Sequence, residues 1–424
     1  MIIICAALLL VSWAVAINTN SAAEKQQSLI SEAIAMMNDG IYIRAALLLE
    51  EAAEYDAAHT IAAENELKRA YLALIGHRGF AGKYIQLLET QMNRREADPD
   101  IFIEAAKYYL SISKTQDALA VLRNAIEKTD DSDIRELYEN SRYVFEVSRA
   151  SYENVTAIYN QTIQVQQDGK WGIANASGTI IIPCRYDKIS TFSKNQAVAG
   201  GAGRVFAIDA SNHRIAITHE AVSDFGNFSD NRIALLIDKS WHRATGNLEI
   251  GASGFEEIGM YSGGYAAAKT DGKWGVIGLS NDWLIPAQFD GIIMDELGRS
   301  YAQDVVFARS NDEAQLIVGG GLPVASYEDA HPFSDEGYAA VMRDGKWGFI
   351  DTNGIVIIPF TFDEALSFGQ HLAAVKIGDS WGYISMSGQV VIEPQFAEAK
   401  SFSGGSAPVL TGRGWQFITL LEYK

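Results

Sequence analysis

From residue 141 onward, short apolar runs alternate with glycine-centred turns, and the alternation recurs along the chain. In the clearest stretch, Tyr338-Ala339-Ala340-Val341-Met342 has the small and β-branched content of a short strand. Asp344-Gly345 follows, a dipeptide favoured where both central residues of a hairpin turn need positive φ. Lys346-Trp347-Gly348-Phe349-Ile350-Asp351 is the return strand, and Asn353-Gly354 is a second turn signal of the same kind. Ile355-Val356-Ile357-Ile358 is a continuous apolar run, which reads as a third strand buried on both faces. Pro359 is expected to end it, because proline has no N–H for a central ladder. Phe362-Asp363-Glu364-Ala365 and Phe368 then lead into the next unit, read here as a short outer strand. Each unit is a meander of three or four strands.

The same context holds Trp171-Gly172, Trp274-Gly275, Trp347-Gly348 and Trp381-Gly382. Trp381 lies 34 residues after Trp347, and Trp415 lies 34 after that, as Trp-Gln. The longer gaps leave room for decayed copies around Val205-Phe206, Trp241-His242 and Ala314-Gln315, which makes eight units. An indole recurring with the period of the fold is expected to fill the space between adjacent units, with the following glycine letting it lie flat. The competing reading is a ring of aromatics that stack on sugars or other ligands. Asp351-Thr352-Asn353-Gly354 lacks the later acidic ligands of a calcium loop and reads as a hairpin turn.

These motifs resemble the WG-repeat family of bacterial β-repeat proteins, over about residues 140–424. The units near Val205, Trp241 and Ala314 depart from the family pattern. The resemblance implies a binding or interaction module, and no catalytic residues come with it.

After Trp415-Gln416-Phe417-Ile418-Thr419 the last unit has no third strand of its own, while Tyr143-Val144-Phe145-Glu146-Val147 lies unassigned before the first full copy. An N-terminal strand that completes a C-terminal unit hides the open edges of a closed propeller. A closed, propeller-like ring is therefore favoured over an open β-solenoid, which would need capping units with polar outer faces.

Residues 24–140 have helical rather than strand spacing, with alanine, leucine and glutamate recurring. Phe102, Ala105, Ala106, Tyr109, Ala118, Leu122 and Ala125 have offsets that resemble the tetratricopeptide repeat, a helix–turn–helix. Ala45, Leu49 and Ala52 fit an earlier unit, and Leu67, Ala70, Tyr71 and Leu74 a middle one, where Lys83 replaces an expected small residue. A mainly β chain with tetratricopeptide-like helical hairpins in front is the expected fold.

Residues 1–16 read as a signal peptide ending in Ala14-Val15-Ala16, or else as a short uncleaved anchor. No basic residue precedes the apolar stretch. Cleavage would leave Cys184 as the single cysteine, so no internal disulfide is expected. The expected location is the periplasm or cell envelope.

The formal net charge of −19 argues against a nucleic-acid partner, because phosphate binding needs a basic face, and against an anionic membrane surface, so membrane contact is expected only through an uncleaved N-terminus. None of the seven histidines has HxH or HExxH spacing, and no nucleophile elbow, P-loop or dinucleotide fingerprint occurs. No enzyme, cofactor or metal site is expected. The functional expectation is a non-catalytic scaffold that binds a protein or peptide, the alternative being a glycan or cell-wall polymer module. Trp241, Tyr261 and Trp283 lie outside the best-kept Trp-Gly positions and are the candidate ligand-facing aromatics.

Overall fold

A computed structural model describes residues 21–421, apart from 56–57, 95–96, 202–203, 219–220 and 301–303, and the side chains of 252–253. The leader expected over 1–16 lies outside the described residues. Two compact units divide the chain, Met1–Ser141 and Arg142–Lys424.

The first unit is helical. Seven helices are described: α1 (residues 21–38), α2 (Tyr42–Glu54), α3 (Thr60–Ala73), α4 (Phe80–Met92), α5 (Pro99–Ser111), α6 (Thr115–Lys128) and α7 (Ser132–Ser141). Asp98 caps α5 by accepting from the Asp100 N–H, with Pro99 at the first position, where a missing N–H costs nothing. Ala45, Leu49, Ala52, Leu67, Ala70 and Phe102 are all in one buried core. Lys83, in place of a small residue, reaches Glu50 at 2.6 Å. Glu104 accepts from Lys68 Nζ at 2.6 Å and Tyr84 Oη at 2.7 Å, tying α3 and α4 to α5.

The second unit is eight four-stranded antiparallel sheets. They are numbered here as blades in chain order by their short first strands: Asn154–Val155, Lys188–Ile189, Val222–Phe225, Glu257–Ile258, Gly291–Ile292, Asp329–Ala330, Glu364–Ala365 and Glu398–Ala399. Blade 6 shows the plan: Asp329–Ala330, then Tyr338–Arg343, Lys346–Asp351 and Val356–Phe362, each hydrogen-bonded to the one before. Asp344 and Gly345 both have positive φ, as the hairpin turn requires. The Asn353-Gly354 turn is of a different kind. Only Gly354 has positive φ, and the Asp351 carboxylate holds the turn by accepting from the N–H groups of Asn353 and Ile355.

Blade 8 supplies only three strands after residue 397, and Phe145–Val147 completes it, pairing Phe145 with Leu420 and Val147 with Ile418. Tyr152 and Trp415 then exchange both backbone hydrogen bonds, at 2.9 and 3.0 Å. The ring is closed, and its two chain ends share one sheet.

Two expectations are corrected by the fourth strand. It does not stop before its proline: Val356–Phe362 runs through Pro359, which is tolerable because this strand is the free edge of its sheet. Nor is it buried on both faces. Ile355 is 63 % exposed, Val356 and Ile357 are exposed too, and only Ile358 points into the core.

Candidate functional site

The recurring tryptophans pack blade against blade. Trp347 lies in one buried cluster with Ala365, Phe368, Ala373 and Val375 of blade 7, and Trp381 with Ala399, Phe402 and Val409 of blade 8. Trp274 packs likewise on Ile292 and Val306 of blade 5, and Trp415 closes the circle on Val155, Ile158 and Ile163 of blade 1. Trp171 is half-buried against Ile189, Ala197 and Ala199 of blade 2.

The glycine after the tryptophan has a different task from letting the indole lie flat. A Cβ on Gly172, Gly275, Gly348 or Gly382 would stand 2.3–2.8 Å from the carbonyl oxygen of the isoleucine before the proline region, namely Ile182, Ile285, Ile358 and Ile392. At those places the fourth strand bulges, four residues opposing two, as between Trp347↔Phe362 and Phe349↔Ile358. Gln315 and Phe206 replace the glycine in blades 5 and 2, and there the register runs past without that bulge. In blade 3 His242 stands at the position and Gly254 faces it from the fourth strand. Gln416 of blade 8 is accommodated because the closing strand ends at Val147, and its Nε2 donates to the Ser148 carbonyl at 2.6 Å.

A polar stitch accompanies the full motif. Lys170–Asp187, Lys273–Asp290 and Lys346–Asp363 pair at 2.5–2.6 Å, and these ion pairs hold the carboxyls of Asp290 and Asp363 below the usual carboxylate range. Glu153, Glu256 and Glu328 accept from the N–H groups of the Asp-Gly turns.

The inner loops define a cavity of about 810 Å³, lined by residues of blades 1, 4, 5, 6, 7 and 8. Lining drawn from so many blades places it on the ring axis. It follows that the short strand beginning each blade is the inner one, and the expectation of an outer strand is corrected: the exposed fourth strand occupies the outside instead.

Blade 5 breaks the pattern. Six residues separate the short strand from the next in blades 1, 2, 3, 4, 7 and 8, and seven in blade 6, but twelve in blade 5. Within this longer loop, Met294 to Ser300 enter the axis as a plug. Asp295 folds the loop by accepting from the N–H groups of Leu297 and Arg299 and pairing with Arg299 Nε at 2.6 Å. Asn227 Nδ2 of blade 3 donates to the Leu297 carbonyl at 3.0 Å, and Met260 N of blade 4 to that of Gly298 at 2.8 Å. Arg299 lies over the Tyr159 ring of blade 1, and Glu296 pairs with Lys400 of blade 8 at 2.5 Å. The plug thus touches blades 1, 3, 4 and 8.

Facing it, His331 stacks on Trp347 with centroids 4.9 Å apart, and Lys400 lies over Trp415 at 5.3 Å. Burial pushes the His331 imidazole below its ordinary value, against the pull of Asp329, Asp295 and Glu364, so the ring is neutral at pH 7. The carboxylates in the wall are Asp295, Glu296, Asp335, Glu336, Glu364 and Glu398. Among the described residues, no group of three or more His, Cys, Asp or Glu side chains is placed to hold a metal ion.

The candidate aromatics lie away from this cavity. Tyr261 is 2 % exposed and donates to Asn281 Oδ1, so no ligand reaches its ring. Trp241 is half-buried opposite Phe255, and Trp283, 37 % exposed, meets the same Phe255 edge to face at 6.3 Å. Only Trp283 offers an open face. The plug was not legible as a site, because a polar insertion has no periodicity. Its one signal is the excess length between Ile292 and Val305.

The family described as WG containing repeat matches residues 171–199, 246–274, 325–347, 347–380 and 381–415. The ring is built of WG repeats. Between the matches, residues 200–245 and 275–324 are left out; they include Phe206, His242 and Gln315, which replace the glycine, and also Gly275 of blade 4, which keeps it. No curated protein matches the sequence. Among solved structures, the WG ring is similar to the β-propeller domain of Cps50 (Swd1) from Myceliophteria thermophila, at 8 % identity and TM-score 0.36, covering 66 % of this chain and 100 % of that one. It is also similar to the Pan2 WD40 domain of Neurospora crassa, at 10 % identity and TM-score 0.33, covering 57 % and 90 %. A protein of unknown function from Bacteroides caccae aligns at 14 % identity and TM-score 0.23, covering 47 % and 93 %.

Proposed function

We propose that this WG-repeat chain is a non-catalytic scaffold of the bacterial cell envelope that holds a protein or peptide. The supporting observation is the axial cavity: a repeated, closed frame carries inner loops that differ from blade to blade, the usual division between rigid scaffold and variable binding surface. In this reading residues 1–16 direct export, and the helical hairpins serve as a tetratricopeptide-like second surface. No helix among the described residues is long and apolar enough to cross a membrane.

Affinity capture from envelope extracts with the tagged full-length protein tests the reading. A specific protein partner, recovered with bait that fractionates with the envelope and begins near Ile17, is the expected result. Bait that stays in the cytosol with Met1 retained would sink the envelope assignment, and failure to retain any protein would sink the scaffold. The open face of Trp283 on Phe255 favours the second reading, a glycan module. In that case cell-wall fragments bind and Trp283→Ala abolishes binding.

A further inference from the structure

The outside of the ring is guarded unevenly. The fourth strand is the free edge of its sheet, and an edge that carries a charge or an interior proline resists pairing with another chain. In blades 1, 2 and 7 that strand carries Arg185, Arg214 and Glu393, and the closing strand of blade 8 carries Glu146. In blades 4, 5 and 6 the strands Trp283–Phe289, Pro323–Tyr327 and Val356–Phe362 hold no charged residue. Pro286 and Pro359 still interrupt the edges of blades 4 and 6. Blade 5 has neither device. Its proline is the first residue of the strand, and Ala325 to Tyr327 pair in unbroken register with Leu316 to Ala314.

The same three blades form one apolar surface. Leu322 is 85 % exposed and Val324 57 %, and Leu284, Ile355 and Val356 are exposed beside them. The blades touch in sequence: a Cβ on Gly320 of blade 5 would lie 3.3 Å from the Leu284 carbonyl oxygen of blade 4, and Tyr327 Oη of blade 5 donates to the Gly354 carbonyl of blade 6 at 3.4 Å. A continuous exposed apolar patch marks a site of association. An uncharged patch built around an open strand edge is complementary to itself across a two-fold axis. With a net charge of −19, two copies repel wherever their charged surfaces meet, and this arc lets them meet without that repulsion. Its three strands are seven, five and seven residues long, close to the about twenty or more residues that each side of a stable interface supplies.

We propose that this arc is the interface of a homodimer. A second copy sets its blade 5 edge, Val324 to Tyr327, antiparallel to that of the first and joins two four-stranded sheets, while Leu284, Leu322 and Ile355 of both copies cover the seam. The inference stands apart from the scaffold reading, because the axial cavity lies on the other side of the blades.

Sedimentation equilibrium of the full-length protein, at concentrations from roughly 1 to 100 µM, tests it. Three variants accompany the wild type: V324K, with a lysine on the open edge; L322S, without the most exposed apolar side chain of the arc; and I180K, with the same added charge on the guarded edge of blade 1. Melting temperatures show whether each is folded. Wild type has twice the chain mass at the upper concentrations, and added salt leaves the dimer as tight or tighter, because it screens the repulsion between copies. V324K weakens association by about a hundredfold or more, since each dimer would bury two unpaired ammonium groups. L322S weakens it by about tenfold, and I180K by less than about twofold. A wild type that stays monomeric overturns the proposal, and so does a folded V324K or L322S that dimerises as tightly as wild type. Equal weakening by I180K, or growth beyond two chains, overturns it too. If V324K does not fold, L322S against I180K decides. A monomeric wild type that still captures a partner from extracts sinks the dimer and keeps the scaffold; a dimer that captures nothing does the reverse.

Discussion

Gly382 lies so close to Ile392 that a Cβ on the glycine would stand 2.4 Å from the isoleucine carbonyl oxygen. The contact is backbone against backbone, so no rotamer can relieve it. It ties the glycine of the repeat to the bulge of the strand that follows.

Gly382→Ala should therefore lower stability by about 1–3 kcal/mol, the range for forcing a methyl group into a packed site. Gly412→Ala, where nothing lies within 4 Å, should melt like wild type. Thermal denaturation of the two variants side by side is the measurement. Equal melting temperatures would show that the fourth strand yields freely.

Trp415→Ala removes the indole that packs the last blade onto the first, where it meets Tyr152, Val155 and Ile158. A loss of about 3–5 kcal/mol is expected, as for other large buried aromatics. A variant that melts like wild type but loses a ligand would make the indole a binding group instead.

Truncation separates the closing strand from the helices. Removing residues 1–135 should leave a folded ring, since Phe145–Val147 stays in place. Removing residues 1–157 takes that strand away together with Asn154–Val155 of blade 1, exposes the edge of Gly414–Leu420 and should cause aggregation. Comparable soluble yield and melting for the two proteins would count against the strand's role in closure.

His331 should make the protein acid-sensitive. Its imidazole titrates below the ordinary value of 6.5 because burial disfavours the cation. Between that value and its lowered folded one, the unfolded chain holds more protons, so stability falls as pH drops. Above pH 6.5 the contribution is fully present. His331→Gln should flatten the change in melting temperature between about pH 7 and 5 relative to wild type. A wild-type profile that is parallel to the variant's would place the acid sensitivity elsewhere.

Much of this architecture is legible in the sequence because its signals are local or periodic. The Trp-Gly spacing marks eight units, Asp344-Gly345 marks a turn with both φ positive, and the unassigned run at Tyr143–Val147 marks the closing strand. The exposure of Ile355, Val356 and Ile357 is not legible, since apolar composition alone does not tell an edge strand from a buried one. The same holds for the glycine: its neighbour is a bulge ten residues later, visible only once the strands are paired. The axial cavity is the least legible part. Its walls come from six blades, and no stretch of chain contains more than a small share of it.

The loop from Met294 to Ser300 also decides how the ring can be read by anything that docks along its axis. The eight blades repeat one strand plan at every turn of about 45°, so a partner that read the frame alone would find near-equivalent orientations. One off-centre obstruction removes that degeneracy. It acts as a key in a slot: a visitor seats in a single orientation about the axis, and an assembly built there acquires a defined clock position from one short insertion.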